Sequence, residues 1–293
     1  MNWSSKSLIT SLALPRYGLV ALAAALSAIY LALIWRSGDQ PHLAMSLLFG
    51  VAAGNSLWEK RRFLLLGSSL GAMAIGVLCL VSGVAVAGLA NWLADQSFTY
   101  PTASPGFRLL PLFWALGVFI LASGFRLKQY WQEFAILAAL ALPSVLAGFL
   151  PDISPLTAKV SALMLWYTGF DVSLEGVYVS LSNQSVQIYS GCSGIESTTY
   201  LFGMSIVCLL SFPIQGTKRY FIPAIAAIMG FFVNLIRVAL MVILNSTGNK
   251  AAFNYWHTGQ GSLVFGAIAI FLFGAFYFFL MQIEEKKNAD EHG

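Results

Sequence analysis

Charge is what this chain has least of. Only 10% of its 293 residues are charged, against about 25% in soluble domains. Together with 58% hydrophobic residues and a mean hydropathy of +0.76, that scarcity excludes a water-soluble fold. Cysteine is also rare: Cys79, Cys192 and Cys208 are too few and too scattered for a disulfide framework. Cys79 and Cys208 lie in apolar runs and read as packing residues. The histidines are His42, His257 and His292, and no His-Glu-x-x-His run or close cysteine pair offers a metal set. Neither metal nor cofactor is expected. The net charge of +4 comes from Lys and Arg dispersed in short loops, so no nucleic-acid partner is expected. No internal repeat is visible. The first apolar run lacks a small-residue cleavage site and is long enough to span, so it reads as an uncleaved helix.

What the chain has in abundance is apolar sequence. A helix crossing a bilayer needs about 20 mostly apolar residues. Runs at about 17–35, 42–58, 65–90, 109–125, 132–150, 197–213, 219–244 and 262–282 reach or approach that length. The expected fold class is an all-α polytopic membrane protein of about eight transmembrane helices. As a single integral membrane domain, 1–293, it divides into five N-terminal spans over 1–150, an outer cap over 151–191, a three-span core over 192–282 and a charged tail over 283–293.

Lys and Arg assign the sides, because cytoplasmic loops are enriched in them. Lys6 and Arg16, then Lys60, Arg61 and Arg62, then Arg126 and Lys128, then Lys218 and Arg219, then Lys286 and Lys287 all fall on one side of eight spans. The opposite loops hold only Arg36, Arg108, Lys159 and Lys250. Both termini are therefore expected in the cytoplasm of a cell with this protein in its plasma (inner) membrane. The outer cap begins with an amphipathic stretch over about 155–169, expected as an interfacial helix against membrane lipid. Val177, Val179 and Leu181 then alternate with polar residues, Asn183-Gln184 can turn, and Val186 and Ile188 alternate again, which predicts a β-hairpin leading to Cys192. An extended segment could add to such a hairpin.

Three residues are unusual for their places. Cys192 stands in Tyr189-Ser190-Gly191-Cys192-Ser193-Gly194-Ile195, at the expected outer start of span six. A helix N-terminus or a cation lowers a thiol pKa, and Gly191 and Gly194 allow close backbone approach. Amides there could face an oxyanion. Arg237 lies inside an apolar run, where a cation costs about 2.5–3.5 kcal/mol on insertion scales and marks function by default. Asn234 shares its helix face. His257 precedes the last span in Tyr255-Trp256-His257-Thr258-Gly259-Gln260-Gly261, and an imidazole can act as base and acid near neutral pH. The expected topology puts all three toward the outer leaflet, where a thiol, an imidazole and a guanidinium would make an acyl-transfer site. Each also has a plain structural role open to it: a small buried residue, an ion pair or head-group anchor, and an interfacial loop histidine. Gly67-Ser68-Ser69-Leu70-Gly71 matches the serine-hydrolase elbow pattern but lacks its strand and helix context. Glu196 reads as a site partner or as an anion at a helix start.

The order and setting of these residues resemble the exosortase/archaeosortase family of polytopic membrane cysteine transpeptidases. The matching pieces are Cys192-Ser193-Gly194-Ile195, Asn234-Leu235-Ile236-Arg237 and His257 before a glycine-rich start to the last span, all within about 185–275. Gly191 and the 257–261 run look closest to the cyanobacterial-type branch. Glu196 stands where many relatives carry a basic residue, and Ser190 near where they carry an acidic one. The resemblance implies that Cys192 is the nucleophile, Arg237 an oxyanion or substrate-positioning group and His257 the acid/base, supported by Gly191, Ser193, Gly194 and Asn234. It implies partners that are exported proteins with a C-terminal sorting tail: a Pro-Glu-Pro-like motif, one membrane helix and a basic cluster. Cleavage at the outer face through a thioester, resolved by an amine acceptor (glycan or lipid) or by water, is implied as well. Two other classes fit the residues alone: a polytopic acyltransferase using His257, and an anion-substrate transporter using Arg237.

Overall fold

A computed structural model describes residues 16–93, 104–147 and 150–292. Helices occupy each of the eight apolar runs: α1 (Arg16–Ser37), α2 (Gln40–Lys60), α3 (Leu70–Leu93), α4 (Pro105–Ser123), α5 (Trp131–Ala147), α7 (Ile195–Ser211), α8 (Ile222–Ser246) and α10 (Gly261–His292). Between them, α6 (Ser154–Tyr167) and α9 (Lys250–His257) are shorter insertions. Among the described residues, five segments are long and apolar enough to cross a bilayer, in α1, α3, α4, α8 and α10. The chain is a mostly helical, multi-pass membrane protein. α7 is apolar but only 17 residues long.

The chain forms two compact units, 1–141 and 142–293. In the first, α3 and α4 pack backbone to backbone through small residues, as helices do where lipid supplies no hydrophobic drive between them. A Cβ at Gly117 would lie 2.8 Å from the carbonyl of Gly76. A buried polar group joins α1, α2 and α4: the Tyr30 hydroxyl and His42 Nε2 are 2.8 Å apart, and Arg108 pairs with Asp39 at 3.4 Å. Asp39 also caps α2 by accepting the His42 amide. At the other end of α2, Lys60 reaches the fully buried Glu133 at 2.6 Å. The expected third span begins five residues late. Residues 64–69 are an irregular loop in which Gly67 takes φ +120° and the buried Ser68 hydroxyl donates to the Ile120 carbonyl at 3.0 Å. Ser69 then starts α3 by accepting the Ala72 amide. Ser68 is thus a tie within the unit, and Ser69, the serine of the Gly67–Gly71 pattern, is a helix cap and no nucleophile elbow.

The second unit holds the segment 151–191. α6 is followed by a three-stranded antiparallel sheet, β1 (Val172–Glu175), β2 (Tyr178–Leu181) and β3 (Gln184–Gln187), in the order β1-β2-β3. The expected hairpin is β2–β3, but the turn is Ser182-Asn183, one residue earlier than Asn183-Gln184. Leu181 pairs with Gln184, and Ser182 takes φ +50°. β1 was not expected, because Val172-Ser173-Leu174-Glu175 is too short to alternate visibly. The inward side chains explain the seating. Val179 and Leu181 of β2, Ile188, and Ala158, Ala162 and Leu165 of α6 form one buried cluster with Val238 and Val242 of α8. Cys192 packs at its margin. The helix α10 continues through the charged tail to His292, since Glu, Lys and Ala there are good helix formers.

α7 and α8 touch at Gly230. A Cβ at that position would meet the Ser197 carbonyl at 2.8 Å and Thr198 Cα at 3.1 Å, with backbone that cannot give way. Gly230→Val is expected to destabilise the protein by about 1–3 kcal/mol through overpacking. Gly266→Ala on α10, where a Cβ would meet open space, is expected to stay near wild type. Thermal unfolding of both variants in detergent, followed by tryptophan fluorescence, checks the contrast; equal melting points would refute the contact.

Candidate active site

Cys192 does not open a helix. It ends a 3-10 turn, Ser190–Cys192, and α7 starts three residues later. Gly194 between them is left-handed, φ +86°, a conformation that glycine alone adopts without cost. The turn is tied on every side. The Cys192 amide donates to the Tyr189 carbonyl at 2.8 Å. The Ser193 hydroxyl donates to the Ser190 carbonyl at 2.7 Å, and the Thr157 hydroxyl of α6 donates to the Ser193 carbonyl at 2.7 Å. From α8, the buried Asn234 amide donates to the Cys192 carbonyl at 3.0 Å. A Cβ on Gly194 would sit 2.6 Å from that same Asn234 nitrogen, so glycine is required there twice over.

His257 is the last residue of α9, which is capped by the Asn249 side chain. Its Nε2 lies 3.4 Å from Cys192 Sγ, across 65 residues of sequence. Phe253, one turn earlier, packs on the imidazole with ring centroids 5.1 Å apart. Arg237, half-buried on α8, donates from Nη2 to the His257 main-chain carbonyl at 2.8 Å. The guanidinium thereby fixes the C-terminal end of α9, where a cation also complements the helix dipole. Sequence reasoning did not foresee this contact, because a main-chain acceptor leaves no mark in the side-chain pattern.

The electrostatics differ from the expectation of a lowered thiol. Burial pushes the Cys192 thiol above its ordinary value, against the smaller opposite pulls of Tyr189 and Arg237. Burial, and secondly the Arg237 charge, holds His257 below its ordinary value. Tyr189 is pushed up to about 12, chiefly by burial and then by Cys192. A neutral thiol therefore faces a neutral imidazole at neutral pH.

A cavity of about 210 Å³ opens on this pair. Its wall contains Cys192 and His257, the run Ser185 to Tyr189, Val238, Met241 and Asn245 of α8, and Phe253 of α9. Arg237 is not part of that wall. Tyr189 is the residue that sequence reasoning passed over. Its ring folds back over Gly191, where a Cβ would come within 2.7 Å of Cε2. The signal for it was the Tyr-Ser-Gly-Cys spacing, with glycine at the one place the ring needs. Glu196 stands at the start of α7. Among the described residues, no group of three or more His, Cys, Asp or Glu side chains could hold a metal ion.

Among known proteins, the transmembrane exosortase family model matches residues 34–274, 241 of the 293 positions. No curated protein matches the chain, and no solved structure does. The match takes in the Cys192 turn, Arg237 and His257, and it reaches back from there through α2 to the end of α1, over most of the chain. The chain belongs to the transmembrane exosortase family.

Proposed function

We propose that Cys192, His257 and Arg237 form the active site of a sorting enzyme that cleaves C-terminal tails of exported proteins through a cysteine thioester. The observation that carries this reading is the 3.4 Å approach of Cys192 Sγ to His257 Nε2, in the wall of a cavity. Exosortases are membrane cysteine peptidases or transpeptidases of protein sorting, which agrees with that pair. The substrate tail carries a Pro-Glu-Pro-like motif, one membrane helix and a basic cluster, by the family resemblance. The charge bias of the loops supports cytoplasmic termini and a site at the extracytoplasmic face.

The chemistry follows from the neutral resting pair. His257 Nε2 takes the thiol proton as sulfur attacks the scissile carbonyl carbon. The carbonyl oxygen gains negative charge, which the Arg237 cation, held on the His257 carbonyl behind the cavity wall, stabilises through space. The intermediate collapses, the C–N bond breaks, and His257 returns the proton to the leaving amine. The acyl group remains on sulfur as a thioester. An amine acceptor or water then attacks it, again with His257 as base, and the thiol is regenerated. Asn234, Ser193, Gly191 and Gly194 position Cys192 and take no proton.

Co-expression with a reporter ending in the tripartite tail tests the reading. Wild type is expected to shorten the reporter, and Cys192→Ala at equal expression to leave it intact. Equal processing by both would make Cys192 structural and favour an acyltransferase or another protease. Gly194→Ala is expected to reduce processing by about tenfold or more, since strain and the displaced Asn234 amide move the nucleophile; mass analysis of the reporter reads it.

A pH profile checks the neutral pair. His257 must be unprotonated to accept, and its pKa lies below the ordinary 6.5. Processing is therefore expected to hold at pH 6.5 and to fall only as the medium becomes more acid. Alkylation of Cys192 by iodoacetamide is expected to climb with pH through the alkaline range, because the thiol lies above its ordinary 9.0. A fast rate that is flat from pH 6 to 8 would instead indicate a thiolate–imidazolium pair and overturn this account.

A further inference from the structure

The cavity wall holds five consecutive residues, Ser185 to Tyr189. One face of a strand would contribute every second residue. Five in a row means that the cavity lies along the strand's edge, where main-chain groups point. β3 has one neighbour in the sheet, β2, so this edge is the one that β2 leaves unpaired.

The register says which groups are presented there. In an antiparallel pair, alternate residues exchange both hydrogen bonds with their partners, and the residues between them point both groups the other way. Ile188 donates its amide to the Val177 carbonyl at 2.9 Å, so Ile188, Val186 and Gln184 face β2 in the register Val179↔Val186 and Leu181↔Gln184. Ser185, Gln187 and Tyr189 therefore turn their amides and carbonyls outward. Two of the three carbonyls are taken: Ser185 accepts from Asn245 Nδ2 at 3.2 Å, and Tyr189 accepts from the Cys192 amide at 2.8 Å. Both contacts agree with the outward assignment. Gln187 keeps both its N–H and its C=O without a partner among the described residues, in the wall of the same cavity as Cys192 and His257.

We infer that the outer edge of β3 is the substrate-docking strand, and that an extended peptide segment of the exported protein pairs with the main chain of Gln187 to bring its scissile bond to Cys192. The inference rests on Cys192 being the nucleophile. An extended peptide is the occupant that the edge fits. It alone offers a donor and an acceptor at the spacing of a strand, and exposed strand edges accept such segments. The Cys192 amide's hold on the Tyr189 carbonyl fixes the end of the edge next to the thiol. Recognition here is by main chain, so the strand supplies position and reach, and the side chains around the cavity supply preference.

Thiol-reactive probes test this without knowledge of the natural tail. The full-length protein in membranes is treated with iodoacetamide, with an acetylated tripeptide chloromethyl ketone, and with versions of that tripeptide methylated at one amide nitrogen at a time. Cys192 displaces chloride and forms a thioether, and labelling of the Cys192 peptide is read by mass spectrometry. Strand pairing predicts sensitivity that alternates along the probe: methylation at amides of one parity slows labelling about tenfold, the loss of one buried hydrogen bond, and methylation at the other parity changes it less than about twofold. Gln187→Pro, which removes an N–H not used by β2, is expected to lower the ratio of tripeptide to iodoacetamide labelling by about tenfold, the ratio correcting for any loss of folded protein. Sensitivity that does not alternate, or an unchanged ratio in Gln187→Pro, overturns the docking strand while leaving the nucleophile intact. Failure of iodoacetamide to label Cys192 even in the alkaline range, or tripeptide labelling at neutral pH that is indifferent to His257→Ala, overturns the nucleophile itself and with it the docking strand.

Discussion

Everything at the site hangs on how an irregular turn is held against a long helix. Cys192 sits outside any α-helix, on a 3-10 turn that has no regular ladder of its own. Its hold on α8 is one amide: Asn234 Nδ2, projecting from that helix, on the Cys192 carbonyl. That hydrogen bond is possible because Gly194 has no side chain and because α7 and α8 approach closely at Gly230. Arg237, three residues after Asn234 on the same helix, holds the carbonyl of His257. One face of α8 thus grips both partners by their main chains. The thiol and the imidazole meet although neither is on α8.

This arrangement divides labour between backbone and side chain. Main-chain groups of Cys192, Ser193 and His257 are all taken by anchors, from Asn234, Thr157 and Arg237. The side-chain atoms Sγ and Nε2 are left facing each other and the cavity. Burial then outweighs the Arg237 charge at Cys192 and keeps the thiol protonated. At His257 burial and the same charge act together and keep the ring neutral. A desolvated pair without formal charge is inexpensive to hold near a bilayer, where a separated ion pair would carry a solvation cost.

Much of this was legible in the residues. Cys192, Arg237 and His257 stood out because each breaks the pattern around it, and helices occupy all eight apolar runs. The cap's hairpin was readable from period-two alternation at Val177, Val179 and Leu181. The turn was misplaced by one residue because Ser182 takes a left-handed conformation that its chemistry does not advertise. The start of α3 was placed too early because Leu64, Leu65 and Leu66 look like span and are loop. Neither the raised thiol nor the Arg237 contact could be read, since burial and main-chain acceptors are properties of the folded chain. The same holds for the unpaired edge of β3, which exists only once β2 has taken its other side.

The protonated state of Cys192 has a consequence for its survival. Peroxide and disulfides react with the thiolate form of a cysteine. A permanently ionised cysteine is consumed by such oxidants. Cys192 gives such reagents little to attack, because burial withholds the anion. The same buried turn that makes this thiol sluggish at rest is what protects it from oxidation.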